Sequence, residues 1–302
     1  MTTTGKQLRL GRFRLPHSRH GIIVPVDHGL TIGPVDGIES SARIASWIDH
    51  GAVSGIIAHK GMIERLAAHH CLSSSVGIMM HLTGMSRLAA DPDRKTRLTS
   101  METAVRHGAD AVSLQVNFDG NNDAHNLALI GAIVDDAQRY GLPVLAMVYD
   151  AVARPGTTPN KDHISRQRHL MRIAVELGVD AIKIAAPEEL SDLAEILEDI
   201  IDDVAVFCAG GATRSDDALL ALARQAAVHG ATGMCIGRNV FQRPSPGKIL
   251  DQIRAEFAAV EAIARRDHAA PVLLDGPASG AAVAGRSFAA GGLEPAVQAV
   301  GS

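Results

Sequence analysis

The stretch Glu176-Leu177-Gly178-Val179-Asp180-Ala181-Ile182-Lys183-Ile184-Ala185 holds the end of one element and the start of the next. Glycine after a helical pattern stops the helix, because it takes up the left-handed backbone conformation without steric cost. The apolar run that follows reads as a strand, along which side chains alternate. Ile182 and Ile184 share one face, and Lys183 shares the other with Ala181 and Ala185. The same punctuation recurs at His50-Gly51-Ala52, His107-Gly108-Ala109, Tyr140-Gly141-Leu142 and His229-Gly230-Ala231. It predicts eight strands, at about 21–27, 53–58, 76–82, 111–117, 143–149, 181–185, 204–210 and 232–238. Helical patterns lie between and after them, most regularly at 122–140, 161–177, 215–229 and 247–267. Strands alternating with helices imply a parallel sheet, and eight such units in about 250 residues predict an α/β fold, a closed (β/α)8 barrel. An open doubly wound sheet has less support, because no G-x-G-x-x-G follows the first strand.

No linker interrupts residues 20–267, so residues 1–268 read as a single domain. The segment 269–302 is rich in Ala, Gly, Pro and Ser and lacks amphipathic period. It is expected to be a flexible tail outside the barrel. The alternative is a segment that orders on a neighbouring subunit. Hydrophobic residues make up 46% of the 302 residues, enough for a sizeable core. A net charge of −4 implies no basic face and only 3% of residues are aromatic, both of which argue against nucleic acid as a partner. The amino terminus, MTTTGKQLRLGRFRLP, lacks the apolar centre of a signal peptide, and no apolar run is long enough to cross a bilayer. Cys71, Cys208 and Cys235 are odd in number and widely spaced, which fits a reducing cytoplasm better than a disulfide framework. Cys208 and Cys235 fall in strands, where a buried small hydrophobe is the default.

Lys183 is one of only six lysines. Held in an apolar site, a lysine loses basicity because desolvation disfavours the ammonium form. The neutral amine then attacks a carbonyl and forms a Schiff base. The bland alternative is a lysine near a strand end that snorkels to solvent.

In a barrel of this kind the active site lies at the carboxyl ends of the strands. Strand one delivers Asp27-His28-Gly29 there, strand two His59-Lys60-Gly61, strand three His81-Leu82-Thr83-Gly84 and strand four Gln115-Val116-Asn117. Strand five delivers Tyr149-Asp150, strand seven Gly210-Gly211 and strand eight Gly237-Arg238-Asn239. Asp27 is the best acid/base candidate beside Lys183, where a nearby cation keeps it ionised. The Tyr149 phenol can hand a proton to a carbanion or alkoxide, or it is a core residue with a satisfied hydroxyl. Gly210, Gly211 and Gly237 let backbone N–H groups approach an anion, and Arg238 pairs with phosphate oxygens. Alternatively, these glycines only ease tight turns. His28 and Lys60 join the candidate substrate- and phosphate-binding residues. A rival reading gathers His28, His59 and His81 around zinc, which accepts three histidines plus water. The imine reading expects no metal and no other cofactor.

VPVDHGLTIGP (24–34), HKGMI (59–63), HLTG (81–84), GADAVSLQVN (108–117), MVYD (147–150), AGG (209–211) and IGRNVFQ (236–242) occur in order. Together they resemble the class I aldolases of the archaeal fructose-bisphosphate aldolase superfamily. Within it they are most similar to the branch of 2-amino-3,7-dideoxy-D-threo-hept-6-ulosonate synthases. The resemblance covers about residues 20–265. It implies that Lys183 forms the Schiff base, that Tyr149 donates a proton, that Asp27 assists proton transfer, and that Gly210, Gly211, Gly237 and Arg238 hold phosphate. It further implies a cytoplasmic ring-shaped homo-oligomer, often a decamer. The implied activity joins a phosphorylated ketose donor (dihydroxyacetone phosphate or a deoxyketohexose phosphate) to an aldehyde. L-aspartate semialdehyde leads, for aromatic or aminohydroxybenzoate precursor synthesis. Fructose-bisphosphate aldolase is a second reading, and a thiolase-like acyltransferase or a non-catalytic sugar-phosphate-binding barrel a third. Two departures flank the catalytic pair. The family usually continues Tyr-Pro-Arg-Gly after strand five, where this chain has Tyr149-Asp150-Ala151-Val152. After the lysine it usually shows Thr-x-Tyr-Thr-Gly, where this chain has Ile184-Ala185-Ala186-Pro187-Glu188.

Overall fold

In the computed structural model, which describes residues 4–151 and 161–269, short apolar runs form eight parallel strands. In chain order they are β1 (Gly21–Pro25), β2 (Gly55–Ala58), β3 (Gly77–His81), β4 (Ala111–Phe118), β5 (Val144–Asp150), β6 (Ala181–Ile184), β7 (Ala205–Ala209) and β8 (Gly233–Cys235). They close in the order β1-β8-β7-β6-β5-β4-β3-β2, so β8 hydrogen-bonds back to β1 and no edge remains. Helices cover the outside, including the long ones Asp123–Tyr140, Lys161–Glu176, Asp216–Val228 and Pro246–Ala269. The (β/α)8 expectation therefore holds. The expected tail falls almost wholly outside the described residues. No helix among those described is long and apolar enough to cross a membrane.

Four of the five expected glycine stops take the left-handed conformation: Gly108 at φ +70°, Gly141 at +61°, Gly178 at +84° and Gly230 at +85°. Gly51 does not appear among the positive-φ glycines. Two strands are shorter than expected because the chain turns helical early. Asp27 already has helical dihedrals and precedes the helix His28–Ile32. Gly237 breaks β8 and caps the short helix Arg238–Phe241. A two-residue ladder pairs Thr83–Gly84 with Thr96–Arg97 and shapes the long loop after β3.

The alternation along each strand divides the apolar side chains into two clusters. Val24, Ile56, Val112, Ile182, Ile184 and Val206 face outward and pack against the helices. Ile23, Ile57, Met79, Leu145, Met147, Ala181, Phe207 and Cys235 fill the barrel, together with Phe13 from outside the repeat. Phe13 lies at the amino-terminal end of the barrel, where glycines make room for it. A Cβ on Gly77 would stand 2.9 Å from its ring, and one on Gly55 would strike it outright. The preceding helix, Thr4–Gly11, is fixed by Lys6 Nζ, which donates to Asp180 Oδ2 at 2.8 Å. Arg12 pairs with Asp110 at the same distance. Each of these aspartates also accepts a strand N–H, from Val144 and Ile78 respectively.

Candidate active site

The opposite end of the barrel carries the polar residues. Lys183 points inward from β6, level with Met147 of β5 and Phe207 of β7. It is 7% exposed, so it does not snorkel. Its Nζ lies 3.9 Å from Met147 Sδ, and the Tyr149 side chain is close enough to influence its basicity. Tyr149, two residues above Met147 on β5, is half-buried against the barrel interior. Burial lowers the basicity of Lys183, as the sequence suggests. Cys235, Tyr149 and Asp27 outweigh it, and the amine is held above its ordinary range. The expected loss of basicity is therefore corrected. The lysine is flanked by apolar groups along its own strand but faces polar groups across the ring, and it rests as an ammonium ion.

Asp27 is half-buried where β1 passes into the next helix. Burial raises its carboxyl pKa, but His81, His28, Lys183 and His59 together bring it below the ordinary range. Oδ2 lies 3.7 Å from His81 Nε2, and Oδ1 lies 3.7 Å from His28 Nδ1. Burial pushes His81 down to about 4 against the pull of Asp27, and lowers His28 and His59 as well. The three histidines thus meet around a carboxylate. Among the described residues, no three His, Cys, Asp or Glu side chains are arranged to hold a metal ion. Cys235, on the barrel floor near Lys183, is pushed up to about 11 by burial and stays a thiol. All three cysteines are buried and free.

The β7 and β8 turns are built as one unit. Gly210 is buried so close to Asn239 that a Cβ would meet its Nδ2 at 2.7 Å, and Gly211 takes φ +69°. Asn239 donates to the Ala212 carbonyl at 2.9 Å and accepts from the Arg214 N–H at 2.8 Å. Arg238 is exposed and reaches the Gly211 carbonyl at 3.2 Å, while Arg214 Nε donates to the Gly210 carbonyl at 3.1 Å. His28 fills the space beside Gly237, edge-on to Phe241. The sequence reading brought Gly210, Gly211, Gly237, Arg238 and His28 to one side of the mouth, and they are there. It missed Arg214, although a cation ending the run Gly210-Gly211-Ala212-Thr213-Arg214 before a helix cap was visible. Lys60 is exposed at the first position of the helix Lys60–Ala68, at the rim.

Across the mouth, Asn117 of β4 donates to Asp93 at 2.8 Å and accepts from Gln115 at 2.9 Å. Lys95 from the β3 loop is 4% exposed. Burial lowers its pKa against the pull of Asp93 and Asp91. Of the two departures beside the catalytic pair, Asp150 has a visible role. Its carboxylate takes a two-pronged contact from Arg166, at 2.6 and 2.9 Å, tying β5 to the helix Lys161–Glu176. The Ala185 carbonyl accepts from Gln167 Nε2 at 3.3 Å. Val152, the last residue of the first departure, lies outside the described residues.

Residues 21–243 match the model of the DeoC/LacD family aldolases. Over 245 residues the chain is 32% identical to the 2-amino-3,7-dideoxy-D-threo-hept-6-ulosonate synthase 1 of Archaeoglobus fulgidus, covering 81% of this chain and 88% of that protein. It is 31% identical to the 2-amino-4,5-dihydroxy-6-oxo-7-(phosphonooxy)heptanoate synthase of Streptomyces griseus, covering 82% and 88%. It is 30% identical to a class 1 fructose-bisphosphate aldolase of Halobacterium salinarum, covering 83% and 97%. A crystal structure of an archaeal fructose 1,6-bisphosphate aldolase shares the fold, with a TM-score of 0.71 at 23% identity over 83% of this chain and 98% of that one.

Proposed function

The chain belongs to the DeoC/LacD aldolase family, and from that premise we propose a lysine-imine aldolase that joins a phosphorylated ketose donor to an aldehyde. One observation carries this reading. A buried lysine inside the barrel has a tyrosine and an ionised carboxylate among its close neighbours. The ammonium must lose a proton before it can attack, and Asp27 is the base beside it. Amine addition to the donor carbonyl gives a carbinolamine. Loss of its hydroxyl as water, with a proton supplied by Tyr149, leaves the imine on Lys183. The tyrosinate left by that transfer takes a proton from the carbon next to the imine, or from the hydroxyl whose deprotonation cleaves the bond to that carbon, which gives the enamine and restores the phenol. The enamine carbon adds to the aldehyde, and the new alkoxide takes its proton from Tyr149. Water then releases the product and restores Lys183. Gly210, Gly211, Arg214, Gly237 and Arg238 hold the donor phosphate, through backbone N–H groups and two guanidinium groups.

L-aspartate semialdehyde is the leading acceptor, supported by the likeness to the two heptulosonate-type synthases. The product then enters aromatic or aminohydroxybenzoate precursor synthesis. Fructose-bisphosphate aldolase is the second reading, supported by the Halobacterium relative. Product identification by mass spectrometry with dihydroxyacetone phosphate and each aldehyde separates the two. The first experiment treats the protein with borohydride and a keto-phosphate. An adduct on Lys183, lost together with activity in Lys183→Ala, is expected. An adduct on Lys60 moves the active centre to strand two and overturns the assignment to Lys183, and no adduct with any keto-phosphate overturns the imine mechanism.

A further inference from the structure

One buried group beside Asp27 has no part in the steps above. His81 ends β3 and is 3% exposed. Its Nδ1 lies 2.8 Å from Ser113 Oγ on β4, and its Nε2 lies 3.7 Å from Asp27 Oδ2. His59 stands edge-on to the ring, with centroids 5.2 Å apart. Ser113 is 0% exposed, so no solvent competes for its hydroxyl. The imidazole therefore sits between a buried hydroxyl and a half-buried, ionised carboxylate.

We infer that His81 is a positioning residue for Asp27: the carboxylate selects the tautomer with Nε2–H facing it, Ser113 supports that tautomer by donating to Nδ1, and the pair holds Asp27 for proton transfer with Lys183. Two tautomers are available to a neutral imidazole. With the proton on Nδ1, the Nε2 lone pair would face an ionised carboxylate, which is repulsive. With the Ser113 hydroxyl donating to Nδ1, the proton sits on Nε2 and points at Asp27. A separation of 3.7 Å exceeds a hydrogen bond. A small rotation of the carboxylate closes it as the charge leaves Lys183 during imine formation. The charged and titratable groups facing Asp27 are His28 from its own turn, His59 from the end of β2, His81 from β3, Lys183 from β6 and Cys235 from β8. Those facing His81 are Asp27, His59, Lys183 and Lys95. Burial keeps His81 uncharged at neutral pH. Its loss therefore removes an oriented N–H donor and leaves the net charge of the site unaltered.

This inference rests on the imine reading, and the test separates the two. Exchange of the dihydroxyacetone phosphate C3 proton with deuterated water is followed by NMR from pH 3 to 8, a window that reaches below the ordinary carboxylate value. Borohydride trapping on Lys183 is measured in parallel. The proteins are the wild type, His81→Leu, His81→Gln and Ser113→Ala. The wild type is expected to trap and to exchange. In His81→Leu, trapping persists, exchange falls by about ten- to a hundredfold, and its acid limb moves to higher pH by about one unit. The direction follows because a carboxylate that loses an N–H donor is easier to protonate. His81→Gln, which restores a side-chain N–H, recovers most of the rate and returns the limb. Ser113→Ala moves the limb in the same direction by less, and keeps the test open if His81→Leu does not fold. A rate loss that is uniform in pH, with the limb unmoved in every variant, means packing alone and overturns the inference. A wild type that neither traps nor exchanges overturns the imine reading, and the role of His81 with it.

Discussion

Lys183 is held above its ordinary basicity, so imine formation starts from an ammonium group. The residues that hold the donor should then act separately from the nucleophile. Arg238 is exposed and bound only to a carbonyl oxygen, free to turn to an anion. A charge-assisted contact contributes roughly 1.5–3 kcal/mol. Arg238→Ala is therefore expected to lower kcat/KM for a phosphorylated donor by about one to two powers of ten. The loss should shrink sharply for an unphosphorylated donor, and Lys183 should remain trappable. An equal loss for both donors would make Arg238 a support of the turn. Period-two alternation was enough to find Lys183, Tyr149 and Asp27, because each is the odd polar residue at the end of an apolar strand. The pairing of His81 with Ser113 was not legible. Their strands are consecutive, but the register that makes His81 and Ser113 direct partners is set by how the two strands are staggered in the barrel, which no local pattern states. The charge on Lys183 was misread for the same reason, since its neutralising partners come from β1 and β5.

Elements were the most legible scale. All eight strands fell close to their expected ranges, and β1 and β8 end early where the chain turns helical. The helix Thr4–Gly11 and Phe13 were invisible, because a short polar helix before the repeat has no pattern beyond its contact with the barrel. That contact is large. Phe13 is fully buried among inward-facing strand residues. Removing a buried phenylalanine typically costs about 3–5 kcal/mol. Phe13→Ala should lower the melting temperature by about ten degrees or more, at roughly 2–4 °C per kcal/mol for a chain of this size. Thermal unfolding followed by circular dichroism checks it. A shift of a degree or two would mean that the segment only covers the barrel end.

The whole molecule carries a cluster of neutral histidines in its interior, and this sets its response to acid. His81 has an ordinary pKa near 6.5 and about 4 in the folded protein. Below 6.5 the unfolded chain takes up a proton that the folded chain refuses. Stability then falls with pH, by up to about 1.4 kcal/mol per unit for each such group, until His81 protonates in the folded state too. His28 and His59 are shifted in the same direction. Asp27 works in a lower window: its depressed pKa stabilises above the ordinary carboxylate value and loses that effect only in stronger acid. Urea midpoints should therefore drop between pH 6.5 and 4.5, with a shallower drop in His81→Leu. A flat profile over that window would mean that the histidines titrate together in the folded and unfolded chains.

The aromatic stopper at the amino-terminal end has a further consequence for traffic. With Phe13 filling that end, the described residues leave Lys183 to be reached from the carboxyl ends of the strands. On the imine reading proposed above, donor, acceptor, product and the hydrolytic water would share that approach. The donor would then reach the lysine before the aldehyde takes the space above it, and the elongated product would leave before either returns. On that reading the order of binding follows from the architecture, as it does in any bottle with one neck.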